Sequence, residues 1–261
     1  MNTGLQLDDK MKKIFKPLHI ALFLFGILFI SSCNKDDYYE DGGLANAEFN
    51  GTILEYLESK PVLFDSLVQV IKLAGLENEF KTKEFTFFAP SDPDIKQLIG
   101  TIRTGNSLNT YLYNRGLDTI QKLSDIDSAI WRKNLLRYMF NGKNKLADYP
   151  QIDFSLMGTY PGQNYISQSG YVSNIGVVFN DIVQMSGATE VSRLKYKGYR
   201  QLHLSFFPDA SNPDWYVSYP IGTSDIQPNN GIIHVLDYTK SVFGLYPGSE
   251  EFILDVAQSK R

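Results

Sequence analysis

Two of the three histidines lie in segments that read as β-strands, and these side chains are the best suited to acid–base chemistry. His203 stands in "QLHLSFF" and His234 in "GIIHVLDY". A histidine can act as a base or a metal ligand near neutral pH. A histidine placed singly between aliphatic residues, however, is more often a hydrogen-bonded part of the strand. We therefore predict a structural role for His234, with no metal site and no cofactor.

Sequence motifs for the common enzyme chemistries are missing. The chain contains no Gly-x-Ser-x-Gly turn, no phosphate-cradling glycine loop and no His-Glu-x-x-His helix. Nothing in the sequence shows that the two strand histidines converge. A glycosidase needs only two suitably placed carboxylates, and the chain has 29 Asp and Glu residues. We predict a protein that is not an enzyme, and a hydrolase stays the weaker alternative.

An aromatic and oxygen-rich stretch, "DASNPDWYVSY", is a candidate for ligand binding. Short acidic loops can hold Ca²⁺ through oxygen ligands, but "DASNPDW" lacks the spacing of a calcium loop and favours a proline-containing turn. The rings of Trp215, Tyr216 and Tyr219 could form a platform for a sugar ring. The same three residues could equally pack in the core and at a sheet edge.

The bulk composition limits the classes of partner. The chain has 261 residues, of which 43% are hydrophobic, so it can bury a substantial core. Its formal net charge of −4 argues against a nucleic-acid partner, because such partners need a basic surface. The single cysteine, Cys33, excludes a disulfide within the chain and a thiolate metal cluster.

The N-terminus has the three parts of a secretory signal peptide. Basic residues follow Met11, the segment 20–30 is apolar apart from one glycine, and Ser31 and Ser32 precede Cys33. The apolar run is short for a membrane span, which needs about 20 residues, although a short transmembrane anchor is the alternative. We predict a signal peptide over residues 1–32, with the true start at Met1 or Met11.

The sequence Ile30-Ser31-Ser32-Cys33 resembles a bacterial lipobox. The resemblance implies that the signal is cut before Cys33, whose sulfur and new amino group are acylated. Several acyl chains hold a protein firmly on a membrane, since each buried CH₂ contributes about 0.8 kcal/mol. Removing residues 1–32 takes away four lysines and two aspartates, so the net charge would move from −4 to −6.

The segment after the cysteine, residues 33–46, is an acidic tether. Its Lys35, Asp36 and Asp37 resemble the export signal of surface lipoproteins in Bacteroidota-type bacteria. That resemblance implies a lipid anchor on the outer membrane with the domain exposed at the cell surface. A solvated acidic linker is the alternative explanation.

The remaining chain predicts one α+β domain over residues 47–245 and a C-terminal tail over 246–261. Its first half is helical in pattern, with an apolar stripe through Phe64, Leu67 and Ile71 that stops at Gly75. A second helical pattern runs from Trp131 to Met139 and is predicted to stop at Gly142. The second half consists of short aromatic and β-branched runs separated by turn residues, which indicates strands.

Two stretches, "TFFAPSDPDIKQL" and "DIQPNNGIIHVLD", resemble the two signature boxes of the fasciclin domain. The resemblance implies an antiparallel β-sandwich or wedge packed with several helices, and we predict that the box residues mainly build the fold. In the first box we expect Thr86 to lie at a strand end and Ser91–Asp92 to form a helix cap, with Asp92 able to accept from the free amides. In the second we expect Asn229, Asn230 and Gly231 to supply the positive φ angles of a tight turn. The matching box residues are Thr86, Phe88, Ala89, Pro90, Ser91, Asp92, Asn230, Gly231 and His234.

One family position departs from the pattern. In "NLLRYMF" Tyr138 matches the family, but Met139 stands where the family has a histidine. Any role that needs a pair of histidines is therefore in doubt for this chain.

The family resemblance implies a non-enzymatic surface protein that works by adhesion or ligand binding. The expected partners are the membrane, through the lipid anchor, and a glycan, a matrix component or a surface protein. The alternative function is an accessory subunit of an outer-membrane nutrient-uptake complex that contains a TonB-dependent porin and a binding lipoprotein.

Replacing Cys33 by serine should abolish anchoring, because a hydroxyl cannot form the thioether to diacylglycerol. We expect the wild-type chain to incorporate labelled fatty acid and to partition into the detergent phase of Triton X-114, and Cys33→Ser to do neither. The matched control is Ser32→Ala, which keeps a small residue before the cysteine. Label incorporated equally into Cys33→Ser would contradict lipidation at this residue.

Overall fold

A computed structural model describes residues 47–209, 211–212 and 214–261 of the chain. Cys33, the export residues Lys35, Asp36 and Asp37, and the predicted leader and tether lie outside the described residues. The described residues mix helices and strands, which confirms the α+β class. In this part of the chain no helix is long and apolar enough to span a bilayer.

Helices dominate the first half and strands the second. The helices are α1 (Ile53–Glu58), α2 (Pro61–Leu73), α3 (Glu77–Thr82), α4 (Asp92–Ile99), α5 (Leu108–Tyr113), α6 (Ser128–Leu135) and α7 (Gly248–Ser259). The strands are β1 (Glu48–Phe49), β2 (Phe85–Ala89), β3 (Met139–Asn141), β4 (Gln163–Ile166), β5 (Val172–Phe179), β6 (Ile182–Ser186), β7 (Thr189–Leu194), β8 (Arg200–Phe206), β9 (Val217–Pro228) and β10 (Gly231–Leu236).

One large sheet organises the strands in the order β3-β2-β10-β9-β8-β5-β4, with β1 added to β9. β2 and β10 are parallel, as are β1 and β9, and the other neighbours in this sheet are antiparallel. The sheet is therefore mixed: β5, β8, β9 and β10 of the second half pair antiparallel, as expected, and the parallel pairs are those of β1 and β2 from the first half. No short hairpin turn links β2 to β10, so nothing local forces them to run in opposite directions. A second, two-stranded sheet pairs β6 with β7.

Local signals explain where the first helices begin and end. Thr52 and Glu55 form a capping box at the start of α1. Pro61 opens α2, where its missing N–H costs nothing. The predicted stripe of Phe64 and neighbouring apolar residues is buried. Gly75, with a φ of 64°, follows the end of α2 and confirms the predicted stop.

The second helical prediction extended too far. α6 ends at Leu135, a 3₁₀ turn follows over Leu136–Tyr138, and Met139 begins β3. Met139 pairs with Phe87 of β2, so sheet pairing overrides the helical spacing of Trp131, Leu135 and Met139. Tyr138 is buried, and its hydroxyl accepts a hydrogen bond from the Gly244 N–H at 2.7 Å.

The C-terminal segment belongs to the domain and is not a tail outside it. α7 buries Phe252 and Val256, which are four residues apart and so share one helix face. The Phe252 ring lies 5.1 Å from Trp131 of α6. Residues 47–261 form one compact unit with its own core, so we expect this span to fold without the segment before it.

The first box forms β2 and the start of α4. Thr86 donates a hydrogen bond to the Gly142 carbonyl and accepts one from the Asn144 N–H, which ties the end of β3 to β2. Phe88 and Ala89 are fully buried in the core. Pro90 follows directly after the last residue of β2.

Of the predicted cap pair Ser91–Asp92, Ser91 is the residue that caps the helix, and Asp92 is the first residue of α4. The Ser91 N–H and hydroxyl both donate to the Asp94 carboxylate, at 2.6 and 2.7 Å. The Asp92 carboxylate instead accepts hydrogen bonds from the N–H groups of Ser66 and Leu67 in α2, at 3.0 and 3.1 Å. Asp92 therefore joins two helices.

The second box forms the turn into β10 and joins distant segments. The Asn230 side chain accepts from the Ile53 N–H at 2.7 Å and donates to the carbonyls of Phe80 and Lys83, both at 3.0 Å. Asn229, Asn230 and Gly231 are not among the residues with positive φ, so that expectation was wrong. Gly231 is required for another reason, because a Cβ there would lie 2.2 Å from the Phe85 carbonyl oxygen.

Replacing Asn230 by alanine should destabilise the domain by about 2–4 kcal/mol, because three hydrogen bonds are lost and their partners stay partly buried. The matched control is Asn229→Ala, whose side chain is exposed and whose effect should stay within about 0.5 kcal/mol. Urea unfolding of residues 47–261 measures both. Equal free energies of unfolding for the two variants would contradict the joining role of Asn230.

Candidate functional site

The residues of the two boxes do not form a site open to ligand. His234 is fully buried, and its Nε2 lies 3.0 Å from the Asn144 carbonyl oxygen while its Nδ1 accepts from the Asp225 N–H at 3.2 Å. Its ring packs on Phe88 and Tyr149. Burial lowers the pKa of His234 to about 4, so the ring is neutral at pH 7. His234 thus links β10 to the segments at Asn144 and Asp225.

A different region, the outer face of β5, β8 and β9, carries polar side chains. Because side chains alternate along a strand, Leu204 and Tyr219 point into the main core, while Ser205 and Ser218 lie on the opposite face. Ser205 is the direct cross-strand neighbour of Ser218 and of Asn174. We call this polar side the outer face.

His203 lies on this outer face within a short hydrogen-bonded chain. Its Nδ1 is 2.8 Å from the Ser218 hydroxyl, and Ser205 donates to the same hydroxyl at 2.9 Å. Burial lowers the pKa of His203 to about 4, so the neutral ring can accept the Ser218 proton. A nucleophilic serine also needs its base to be oriented by a third group, and no described carboxylate forms an ion pair with His203. These hydrogen bonds hold the side chains of His203, Ser205 and Ser218 in place on the outer face.

An aromatic cluster covers part of the outer face. We define it as Phe154, His203, Phe207 and Tyr216. Phe154 stacks on Tyr216 with ring centroids 4.4 Å apart and planes 12° apart, and its edge meets His203 at 5.5 Å. Tyr216 also contacts Phe207 at 5.7 Å. The adjacent Trp215 is 52% exposed.

Of the three predicted contact residues, the structure places two at the surface and one in the core. Trp215 and Tyr216 lie at or beside the aromatic cluster, but Tyr219 is buried with the core residues. The Tyr219 hydroxyl accepts a hydrogen bond from the Tyr246 N–H at 2.7 Å. Tyr219 therefore cannot join a surface platform, because strand alternation turns it to the opposite face of β9.

A cleft of about 710 Å³ opens beside the aromatic cluster, and Phe154 belongs to both. We call it the outer cleft. Its volume lies within the range of small-molecule sites, about 300–1,000 Å³. It is lined by Ile152, Asp153, Phe154, Ser155, Leu156, Val178, Phe179, Asn180, Asp181, Val183, Arg193, Lys195 and Tyr196.

Charged groups at the outer cleft are mostly engaged with one another. Arg193 donates to Asp181 at 2.9 Å and to both carboxylate oxygens of Glu190 at 2.9 and 2.7 Å. The hydrogen bond from Arg193 lowers the pKa of Asp181. The Tyr196 hydroxyl donates to Asp153 at 2.8 Å, which raises the pKa of Tyr196 to about 12.

Lys195, unlike Arg193, forms no ion pair with any described residue. Its ammonium can therefore donate hydrogen bonds to a ligand in the outer cleft without first leaving a carboxylate. The lining of the outer cleft thus combines apolar side chains with polar and charged ones in similar number.

Asp209 and Ser211, in the acidic stretch before Trp215, are hydrogen-bonded to each other. The Asp209 carboxylate accepts from the N–H and the hydroxyl of Ser211, at 2.8 and 2.7 Å, and these bonds lower the pKa of Asp209. Within the residues that the structure describes, no group of three or more His, Cys, Asp or Glu side chains could hold a metal ion.

No sequence pattern identified Phe154 or Lys195 as site residues. Phe154 lies between β3 and β4 in a segment without helical or strand periodicity, and Lys195 follows β7. Only strand pairing brings these residues to one place. No protein-family model matches the chain, and no curated protein matches its sequence.

The stability of the domain should fall as the pH drops from 7 to 5. In the unfolded chain both histidines titrate near 6.5, whereas in the folded domain their pKa is about 4. The unfolded state therefore takes up protons first, which costs about 2 kcal/mol per histidine over this interval. When urea unfolding is measured at pH 7, 6 and 5, we expect the free energy of unfolding of His203→Gln to decrease less than that of the wild type. An identical pH dependence in wild type and His203→Gln would be inconsistent with a neutral, buried His203.

Proposed function

We propose that this chain is a lipid-anchored surface lipoprotein whose fasciclin-like domain binds a glycan in the outer cleft. The lipobox-like sequence and the acidic tether support the location. The structural roles of Thr86, Asn230, Gly231 and His234 support the family resemblance, because these residues hold the fold together as the resemblance implies.

The observation that carries the binding proposal is the outer cleft beside the aromatic cluster. A sugar has apolar faces made of C–H groups and a rim of hydroxyls. Exposed aromatic rings such as Trp215 can stack on the apolar faces, and polar side chains can form hydrogen bonds with the hydroxyls. At the outer cleft Asp153 can accept from hydroxyls and Lys195 can donate to them.

Binding explains the outer cleft better than hydrolysis does. The Asp181 carboxylate is paired with Arg193, and the Asp153 carboxylate accepts from Tyr196. A glycosidase needs one carboxyl group with a raised pKa to act as the acid, and the pKa of Asp181 is lowered. Carboxylates held by an ion pair or a hydrogen bond, as Asp181 and Asp153 are, keep the lining of a binding site in a fixed geometry.

Glycan binding should depend on the aromatic residues. We expect residues 47–261 to bind at least one member of a panel of neutral and acidic oligosaccharides, with a change in Trp215 fluorescence. Trp131, the other tryptophan, is fully buried and should not respond. Phe154→Ala and Trp215→Ala should each weaken binding by about tenfold or more, which corresponds to about 1.4 kcal/mol.

The control for these variants is Tyr113→Ala on α5, which removes an exposed ring of similar accessibility, 60%, outside the outer cleft. Binding should be unchanged in this variant. A blank result across the whole panel, or equal losses in the control and the two test variants, would rule out a glycan site at the outer cleft.

A role in nutrient uptake would use the same surface location. In that case the lipidated full-length chain should co-purify with a porin after cross-linking in intact cells, and Cys33→Ser should not. Recovery of the chain without a porin would favour the adhesion and binding role.

A further inference from the structure

The hairpin β6–β7 stands out because nothing in the described chain covers it. Every residue of both strands is exposed. Five of them are large and apolar: Ile182, Val183, Met185, Val191 and Leu194, with exposed fractions from 37% to 60%. A two-stranded hairpin is marginally stable on its own in water, so this hairpin gains from any further pairing.

The two free edges of the hairpin are not alike. Natural proteins protect exposed edges with charges, prolines and bulges. β7 carries Glu190 and Arg193, and its register with β6 shifts at Val191, which is a bulge. β6, with the sequence Ile-Val-Gln-Met-Ser, has no charge and no proline. Its outer edge pairs with no other described strand.

The sequence of β6 is complementary to itself in the antiparallel direction. If two copies pair about a two-fold axis at Gln184, each Val183 lies opposite the Met185 of the other copy, on one face of the new sheet. Ile182 then lies opposite Ser186, and the two Gln184 side chains meet at the axis. No like charges come together, and four apolar side chains share one face.

We propose that β6 is a self-association edge, and that two copies of this chain pair β6 to β6 to form a four-stranded sheet. The partner strand is the β6 of a second copy, because every residue that this register requires is already present in β6. Val183 also lines the outer cleft, so the pairing sets the second copy's Met185 beside one wall of that cleft. The proposal does not depend on what the cleft binds.

Cysteine cross-linking tests both the partner and the register. Residues 47–261 contain no cysteine, so a single introduced thiol reports only on its own position. We expect Gln184→Cys to form a disulfide-linked dimer under mild oxidation, at least tenfold faster than Ser192→Cys. Ser192 is the matched control because it pairs with Gln184 within the hairpin but lies on β7.

A charge on the edge tests the association without a cross-link. Wild-type residues 47–261 should show concentration-dependent dimerisation by analytical ultracentrifugation, and Met185→Lys should abolish it. Val191→Lys, at a similarly exposed position on β7, should leave it unchanged. These substitutions lie on an exposed hairpin, so the core remains intact, which circular dichroism verifies.

Any of three results would overturn the proposal. The first is equal cross-linking rates for Gln184→Cys and Ser192→Cys. The second is a wild-type domain that sediments as a monomer at all concentrations, and the third is a dimer that Met185→Lys does not weaken.

Discussion

β10 runs beside β2 so closely that a Cβ on Gly231 would meet the Phe85 carbonyl oxygen at 2.2 Å. This parallel contact joins residues from the two ends of the domain, and every residue of both strands is buried. Asn230, at the start of β10, adds hydrogen bonds to the segments at Ile53 and Phe80. The helices of the first half and the sheet of the second half therefore depend on one junction.

The outer face of the sheet follows from this arrangement. Because the main core occupies one side of β5 and β8, the other side needs a different cover, and the segment through Ile152 supplies it. Gly176 permits this, since a Cβ there would lie 2.6 Å from the Ile152 Cβ. The same segment carries Phe154 to His203 and Tyr216. The outer cleft thus exists where a loop crosses the sheet without covering all of it.

Buried polar groups in this domain serve structure more than chemistry. His234, Asp92 and Thr86 each have two hydrogen-bond contacts to main-chain groups of distant segments, and burial keeps His234 neutral. Among the described cations that line the outer cleft, Lys195 is the one without an ion-pair partner, since Arg193 is paired with Asp181.

The sequence by itself determined the α+β class and the early helices, because capping and apolar spacing act locally. It placed the end of α6 and the C-terminal helix wrongly and left Tyr219 undecided between surface and core, because sheet pairing and core packing are long-range. Only the tertiary structure brought Phe154, His203 and Tyr216 together. Spacing along a strand shows which residues share a face, but strand register decides what each face meets.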